Sequence, residues 1–330
     1  MVAEDRLHPG ALLYFDNPIL LMTQMDKKLD VKVVLIVVFN HRFDKNLPRL
    51  REIYKDRFSN IFFLVPFYSG TDEDVIAVYE SSDCYQGYFA QAYHHLKKID
   101  YDYWFIIADD MIINPAINEF NFADNFGISI DDSFINAIRK FNPATQWAHS
   151  DRALRFTFNN KFLQIRNELP DIVLAKSYLD KYGISPSGLK FESVYPEASG
   201  KPGDYAKYGA RLSADIAKKN DLLFPEYPFA YGYSDILCIG KNNIERFCHY
   251  CGCFAAARLF VEIAVPTALI FSTRGTLYTQ KDIHYQGSAL WSEDEIRDEL
   301  GKFDLDLAKL IRSFPPEKLF LHPVKLSMWK

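Results

Sequence analysis

Apolar runs of strand length alternate with helix-like segments in the first third of the chain. Residues 31–39 and 61–67 are apolar and rich in β-branched or aromatic side chains, and in residues 47–58 between them the apolar positions recur at helical spacing. The pattern returns in residues 88–98, an amphipathic helix, and in residues 103–107, a third apolar strand. This alternation predicts an α/β fold with a mainly parallel sheet flanked by helices, in which ligands bind at the carboxyl ends of the strands.

The periodic pattern is weaker in residues 118–221, which predict a loop-rich insertion with one helix at 170–182 and a Gly/Pro/Ser-rich stretch around 185–203. Residues 236–239 are strand-like, and residues 242–271 predict one long helical stretch. Beyond them, residues 292–314 predict a charged helix that is followed by a polar tail. The C-terminal part is therefore expected to be a helical tail on the α/β body.

Two adjacent carboxylates follow the third predicted strand. Trp104 to Ala108 are apolar, Asp109 and Asp110 come next, and another apolar segment follows them. Two oxygen ligands at a strand end can hold Mg²⁺ or Mn²⁺, whose remaining ligands are usually waters and the phosphates of a substrate. The pair could equally be two solvated turn residues, and the pair alone does not decide between these interpretations.

The order of strand, acidic pair, apolar segment and Asn-Pro, preceded by two β-α units, resembles the core of the GT-A glycosyltransferases over residues 31–115. The Asp-x-Asp motif of that Rossmann-like family falls on Ala108, Asp109 and Asp110, so the first acidic position is an alanine here. The resemblance implies a nucleotide-sugar donor, UDP-sugar by default. It also implies that Asp109 contacts ribose or sugar and that Asp110 ligates Mn²⁺ or Mg²⁺.

A second motif lies near the C-terminus, where His284, Gly287 and Trp291 have the spacing His-x-x-Gly-x-x-x-Trp. It is similar to part of the C-terminal motif of glycogenin-like and lipopolysaccharide galactosyltransferase-like enzymes, in which the histidine is a metal ligand. By this resemblance His284 would ligate the metal and Gly287 would lie at the donor. The lysine of those families is missing, so Lys281 or Arg274 would have to neutralise the diphosphate.

The same resemblance assigns roles to strand ends and to two further carboxylates. Phe39, Asn40 and Arg42 after the first strand, and Ser69 after the second, occupy the places where the base and ribose are held. Asp235 and Glu262 are the candidates for the carboxylate that accepts the proton of the attacking hydroxyl or binds the donor sugar. A carboxylate in an apolar run, such as Glu262, is costly to bury unless it is paired or functional. Glu262 could equally be a residue on the solvent-facing side of a helix.

These assignments divide the chain into an N-terminal extension, a donor-binding half, an acceptor-binding and catalytic half, and a C-terminal helical tail, at residues 1–30, 31–117, 118–291 and 292–330. The acceptor would be a glycan or glycoconjugate. A non-catalytic carbohydrate-binding or scaffold protein of the same fold stays open as an alternative. So does a sugar nucleotidyltransferase, although the segment after the first strand has no glycine.

Composition narrows the function classes. The net charge of −5 with scattered Lys and Arg argues against nucleic acid as a partner. No apolar run has the roughly 20 residues that a transmembrane helix needs. The five cysteines have no zinc-site spacing, which favours reduced thiols and a cytoplasmic location. Neither a Gly-x-Gly-x-x-Gly dinucleotide motif after the first strand, nor a P-loop, nor a Gly-x-Ser-x-Gly elbow is present.

Overall fold

A computed structural model describes residues 31–140, 151–159, 161–184 and 225–330 of this chain. The predicted extension at 1–30, the Gly/Pro/Ser-rich stretch at 185–203 and much of the predicted acceptor-binding insertion lie outside the described residues. The rest of the predictions can be compared with the structure directly.

The centre of the fold is a seven-stranded sheet in the order β3-β2-β1-β4-β7-β6-β8. Its pairings are parallel except those of β7, which runs antiparallel to both β4 and β6. Its strands are β1 Val33–Val38, β2 Asn60–Pro66, β3 Val75–Val78, β4 Tyr103–Ala108, β6 Ser133–Arg139, β7 Tyr231–Gly240 and β8 Leu277–Tyr278. The predicted α/β fold with a mainly parallel sheet is confirmed, and the first three predicted strands coincide with β1, β2 and β4.

Helices cover both faces of this sheet. Along β1 the alternate residues Val34 and Ile36 face one apolar core, and Val33 and Leu35 face the other, as the two-residue period of a strand requires. The helices in the described residues are α1 Leu47–Tyr54, α2 Gln86–Leu96, α3 Phe122–Phe126, α4 Asp151–Leu154, α5 Ile172–Asp180, α6 Lys241–Ala256, α7 Val261–Ser272, α8 Glu293–Leu300 and α9 Leu307–Arg312. Helices α2, α6 and α7 pack on the first face, whereas α1 and α3 pack on the second.

Two segments that were each predicted as one helix are divided into two helices in the structure. The stretch 242–271 is not one helix, because the chain turns between α6 and α7, where Arg258 adopts a positive φ of 59°. The charged helix predicted at 292–314 is likewise divided into α8 and α9 by Asp304 and Leu305, whose φ angles of 55° and 57° are left-handed. A residue in this conformation ends an α-helix.

The segment predicted as a polar tail contains a strand, β10, at Lys318–His322. It lies at the centre of a second sheet, antiparallel to β5, Ile112–Ile113, and parallel to β9, Gln286–Ala289. Because β5 follows β4 after a short turn, this small sheet brings the C-terminal segment to the carboxyl end of β4. That contact positions the site described below.

A chain of phenylalanine rings anchors the second face. Phe122 lies fully buried with its ring centroid 5.0 Å from that of Phe105 and 5.1 Å from that of Phe126. We expect Phe122→Ala to lower the free energy of unfolding by about 3–5 kcal/mol, because it leaves a cavity among packed rings. Phe120→Ala, in the same segment but exposed, should change it by less than about 0.5 kcal/mol. Urea denaturation of the two variants tests this, and equal losses would contradict it.

Candidate functional site

The acidic pair lies in the turn between β4 and β5, at the carboxyl edge of the parallel strands. The backbone N–H of Asp109 donates to the carbonyl of Val38 at 2.9 Å, which joins the ends of β4 and β1. Burial, and then the negative charge of Asp110, raise the pKa of the Asp109 carboxyl to about 7, although the backbone N–H of Asn40 and the side chain of Asn46 donate to it. Asp109 is only 6% exposed. The pair therefore forms an acidic site whose side chains are held by the surrounding structure, and it does not consist of two solvated turn residues.

His322, at the end of β10, contacts this pair. Its Nε2 lies 3.0 Å from Oδ1 of Asp110, and its Nδ1 lies 2.9 Å from the hydroxyl of Tyr233. The backbone holds the same arrangement, since the N–H of Val324 donates to the carbonyl of Asp110 at 2.6 Å. Burial opposes protonation of the His322 ring, but Asp110 and the neighbouring carboxylates outweigh it and raise the pKa of His322. The sequence analysis did not single out this histidine.

His284 lies elsewhere. It is exposed, and its ring packs against that of Tyr285 with centroids 3.9 Å apart. Strand β9 begins only two residues later at Gln286, which pairs with Lys318, whereas Ala289 at the other end of β9 pairs with His322. Four strand residues span about 13 Å. The His284 motif therefore lies at β9, the strand next to that of His322. The histidine that contacts Asp110 is His322 and not His284.

The other residues of that motif have structural partners. A side chain at Gly287 would bring its Cβ within 2.6 Å of both Asn136 Oδ1 and the ring of Phe320, so glycine is needed for close packing there. Lys281 is exposed on a short 3-10 helix, Gln280–Asp282. Neither residue lines the cavity at Asp110, whereas Lys325 does.

The first cavity has a volume of about 400 Å³. We call it the donor-side cavity because it contains the acidic pair to which the resemblance assigns the donor. Its walls come from the loop after β1, the acidic pair and the segment after β10, and they are formed by Asn40, His41, Phe43, Asn46, Asp109, Asp110, Lys325, Leu326 and Ser327. Arg49 of α1 holds the segment after β10, because its Nη1 donates to the carbonyls of Leu326 and Trp329 at 2.5 and 2.6 Å.

The predicted base and ribose positions divide into two groups. Asn40 lines the donor-side cavity, but Phe39 is buried with its ring packed edge-on against Phe63 at 6.3 Å. Arg42 and Ser69 are brought together, since Nη2 of Arg42 donates to Oγ of Ser69 at 2.8 Å. They lie at the same sheet edge, beyond the residues that line the cavity.

A second cavity has a volume of about 280 Å³ and is bounded by strands β6 and β7, by Glu262 in the first turn of α7, and by the end of β9. We call it the acceptor-side cavity after the role that the sequence predicts for Glu262. Tyr233 lines this cavity, and its hydroxyl contacts His322, which in turn contacts Asp110. Trp291 is 72% exposed and forms one wall. The remaining lining residues are Asn136, Ala137, Arg139, Tyr231, Gly232 and Ala289.

The two candidate carboxylates differ in their surroundings. Tyr85 donates its hydroxyl to Oδ1 of Asp235 at 3.3 Å and to the carbonyl of Ser234 at 2.9 Å. Burial raises the pKa of Asp235, and His322 opposes this. Glu262 lines the acceptor-side cavity, and burial followed by the charge of Asp235 raises its pKa to about 7. Glu262 is therefore the carboxylate that a molecule in this cavity would meet.

The donor atoms at the acidic pair suit a cation that shares its ligands with a substrate. The described residues contain no group of three or more His, Cys, Asp or Glu side chains able to hold a metal ion by themselves. Asp110 Oδ1 and His322 Nε2 lie 3.0 Å apart as an ion pair, which is also the separation of adjacent ligands of an octahedral ion with bonds of about 2.1 Å. Such an ion would have to displace the proton from His322, because only the neutral imidazole ligates a metal. Tyr233 fixes the ring through its other nitrogen, as partners of metal-bound histidines do.

Comparison with known proteins adds no assignment. No model of a known protein family matches this chain, and no curated protein matches its sequence. In the part of the chain that the structure describes, no helix is both long and apolar enough to cross a membrane, and the five cysteines are free and buried. The geometry of the two cavities must carry the functional argument.

Proposed function

We propose that this protein is a glycosyltransferase of the GT-A type that moves a sugar from a nucleotide-diphosphate donor to the hydroxyl of a glycan or glycoconjugate. The observation that supports this most strongly is the pair of cavities joined by the contacts from Tyr233 to His322 and from His322 to Asp110. The first lies at the carboxyl ends of β1 and β4 and the second at the carboxyl end of β6, and open α/β sheets bind ligands at this edge.

The donor-side cavity offers what a nucleotide-sugar requires. Among its lining residues, Asn40, His41 and Phe43 provide amide, imidazole and aromatic groups that suit a nucleoside. Asp110 and Lys325 also line it. Lys325 would neutralise part of the diphosphate charge, the role for which the sequence offered only Lys281 or Arg274. A divalent ion bound by Asp110 and His322 would stabilise the leaving diphosphate as a Lewis acid.

The acceptor-side cavity offers an aromatic wall and a carboxyl group. A sugar ring can stack on Trp291, and Glu262 would accept the proton of the attacking hydroxyl. A pKa of about 7 suits such a base, since it is ionised near neutral pH yet still basic enough to take a proton. Asp235 does not line this cavity. It would accept a hydrogen bond from the Tyr85 hydroxyl, and its negative charge would raise the pKa of both Glu262 and His322.

Calorimetry with UDP and GDP, each with and without Mn²⁺, tests the proposed donor site. We expect one nucleotide to bind in a metal-dependent manner, and Asp110→Asn to weaken that binding at least about tenfold, because a neutral amide is a poor ligand for a hard cation. Asp124→Asn, which neutralises an exposed aspartate on α3, is the control and should bind normally. Failure of both nucleotides to bind the wild type would refute the donor site.

A non-catalytic carbohydrate-binding protein is the second candidate. It is favoured by Ala108, which ends β4 where the resemblance has an acidic residue. A donor-hydrolysis assay separates the two functions, because an active transferase releases some sugar to water when no acceptor is present. Metal-dependent nucleotide binding without any hydrolysis or transfer would favour the binding protein.

A further inference from the structure

The acceptor-side cavity contains a positively charged side chain that the proposed chemistry does not use. Arg139 is the last residue of β6, opposite Tyr231 of β7 in the sheet register, and it is exposed at the cavity wall. Among the described residues that line this cavity, it is the one with a positive charge. No carboxylate in the described part of the chain forms an ion pair with it.

The charges of this cavity lie at separate places. Glu262 lies in the first turn of α7. Burial and the charge of Asp235 raise its pKa, and Arg139 does not contribute to the shift. Trp291, two residues after the end of β9, forms a further wall. A sugar stacked on Trp291 would therefore meet a carboxyl group at one place and a guanidinium at another.

A guanidinium at a cavity wall selects for anions. Its fork of N–H donors matches the two oxygens of a carboxylate or of a phosphate, and a neutral hydroxyl group cannot use that geometry. The proposed donor diphosphate is not the partner for Arg139, because it would lie in the donor-side cavity, which Arg139 does not line. The partner must be carried by the molecule that enters the acceptor-side cavity.

We infer that the acceptor is an acidic saccharide whose carboxylate or phosphate pairs with Arg139 while its ring packs on Trp291. This inference rests on the proposed function, since it names the class of acceptor. A carboxylated sugar and a phosphorylated sugar present the same anionic chemistry to the guanidinium, and the experiment below distinguishes them.

The test measures binding of three methyl glycosides that differ at one carbon: methyl β-D-glucoside, the corresponding glucuronide and the corresponding 6-phosphate. Titration calorimetry on the whole protein should show at least about tenfold tighter binding of one anionic glycoside than of the neutral one, since charge-assisted hydrogen bonds are stronger than neutral ones. Arg139→Gln should abolish this preference. Lys140→Gln removes the neighbouring exposed charge and should retain it.

Trp291→Ala locates the binding, because it should weaken all three glycosides together if they occupy the acceptor-side cavity. Equal binding of neutral and anionic glycosides, a preference that survives Arg139→Gln, or no binding of any of them would overturn the acidic acceptor. The donor site would be unaffected by these results, since metal-dependent nucleotide binding and its loss in Asp110→Asn are measured separately.

Discussion

Glu262→Gln is expected to lower the rate of sugar transfer by about 10²–10⁴-fold, the range that general bases contribute. The glutamine keeps the shape of the side chain at the wall of the acceptor-side cavity but cannot accept the proton of an attacking hydroxyl. Nucleotide binding in the donor-side cavity should be unchanged. Initial rates with the best acceptor, together with calorimetry of the nucleotide, measure the two effects separately.

The same variant should be more stable than the wild type at alkaline pH. Burial, followed by Asp235, raises the pKa of Glu262 from 4.5 to about 7, so between these values the folded protein holds a proton that the unfolded chain has lost. The protonated carboxyl therefore contributes stability at low pH that is lost as the pH rises through 7. Above pH 7, Glu262→Gln should raise the free energy of unfolding by about 1–3 kcal/mol.

Glu245→Gln, an exposed change on α6, serves as the control and should alter neither rate nor stability appreciably. Wild-type transfer should increase with pH up to about 7 as Glu262 loses its proton. Full transfer activity in Glu262→Gln would exclude Glu262 as the base. Asp235 would then be the remaining candidate, with Asp235→Asn as the next variant.

His322→Ala is expected to have the second large effect. It should lower the affinity for the nucleotide in the presence of metal by about 10–100-fold. The change removes the imidazole whose Nε2 lies 3.0 Å from Asp110, and with it one of the two protein donors that we propose for a divalent ion. His284→Ala is the matched control. Because His284 is exposed and stacked on Tyr285, its removal should leave nucleotide affinity within about twofold.

Titration of nucleotide binding with Mn²⁺ distinguishes the two variants. The His322 variant should require more Mn²⁺ for half-maximal nucleotide binding, whereas the His284 variant should follow the wild-type curve. The reverse result, with His284→Ala impaired and His322→Ala normal, would restore the role that the sequence resemblance gave to His284. It would also imply that the C-terminal motif moves on binding of the donor.

The sequence predicted what depends on local order. The strands that became β1, β2 and β4 are continuous apolar runs of strand length, and parallel strands necessarily bring their carboxyl ends to one edge. The position of Asp109 and Asp110 at that edge followed directly. Glu262 was predicted for a related reason, because a carboxylate inside an apolar helix needs a cavity or a partner.

The rest of the site depends on contacts between distant segments. Only five residues form β10, and the apolar Leu319 to Leu321 within it could not reveal its partners β5 and β9. The predicted single helix at 292–314 concealed the turn at Asp304 and Leu305 that returns the chain to the sheet. His322 was therefore missed. It directly follows the short apolar run Leu319 to Leu321, and this pattern could have indicated a polar residue at the end of a strand.

The contacts of the C-terminal segment also set the order in which this site is completed during synthesis. On the ribosome, β1, α1 and the acidic pair emerge long before β10. The contacts of Asp110 with His322 and Val324, and those of Arg49 with the carbonyls of Leu326 and Trp329, form only when residues 318–330 have been made. A nascent chain that has folded its parallel strands still has an open, incomplete donor-side cavity. The proposed donor site would therefore be complete only after the C-terminal segment has been made and has docked against α1.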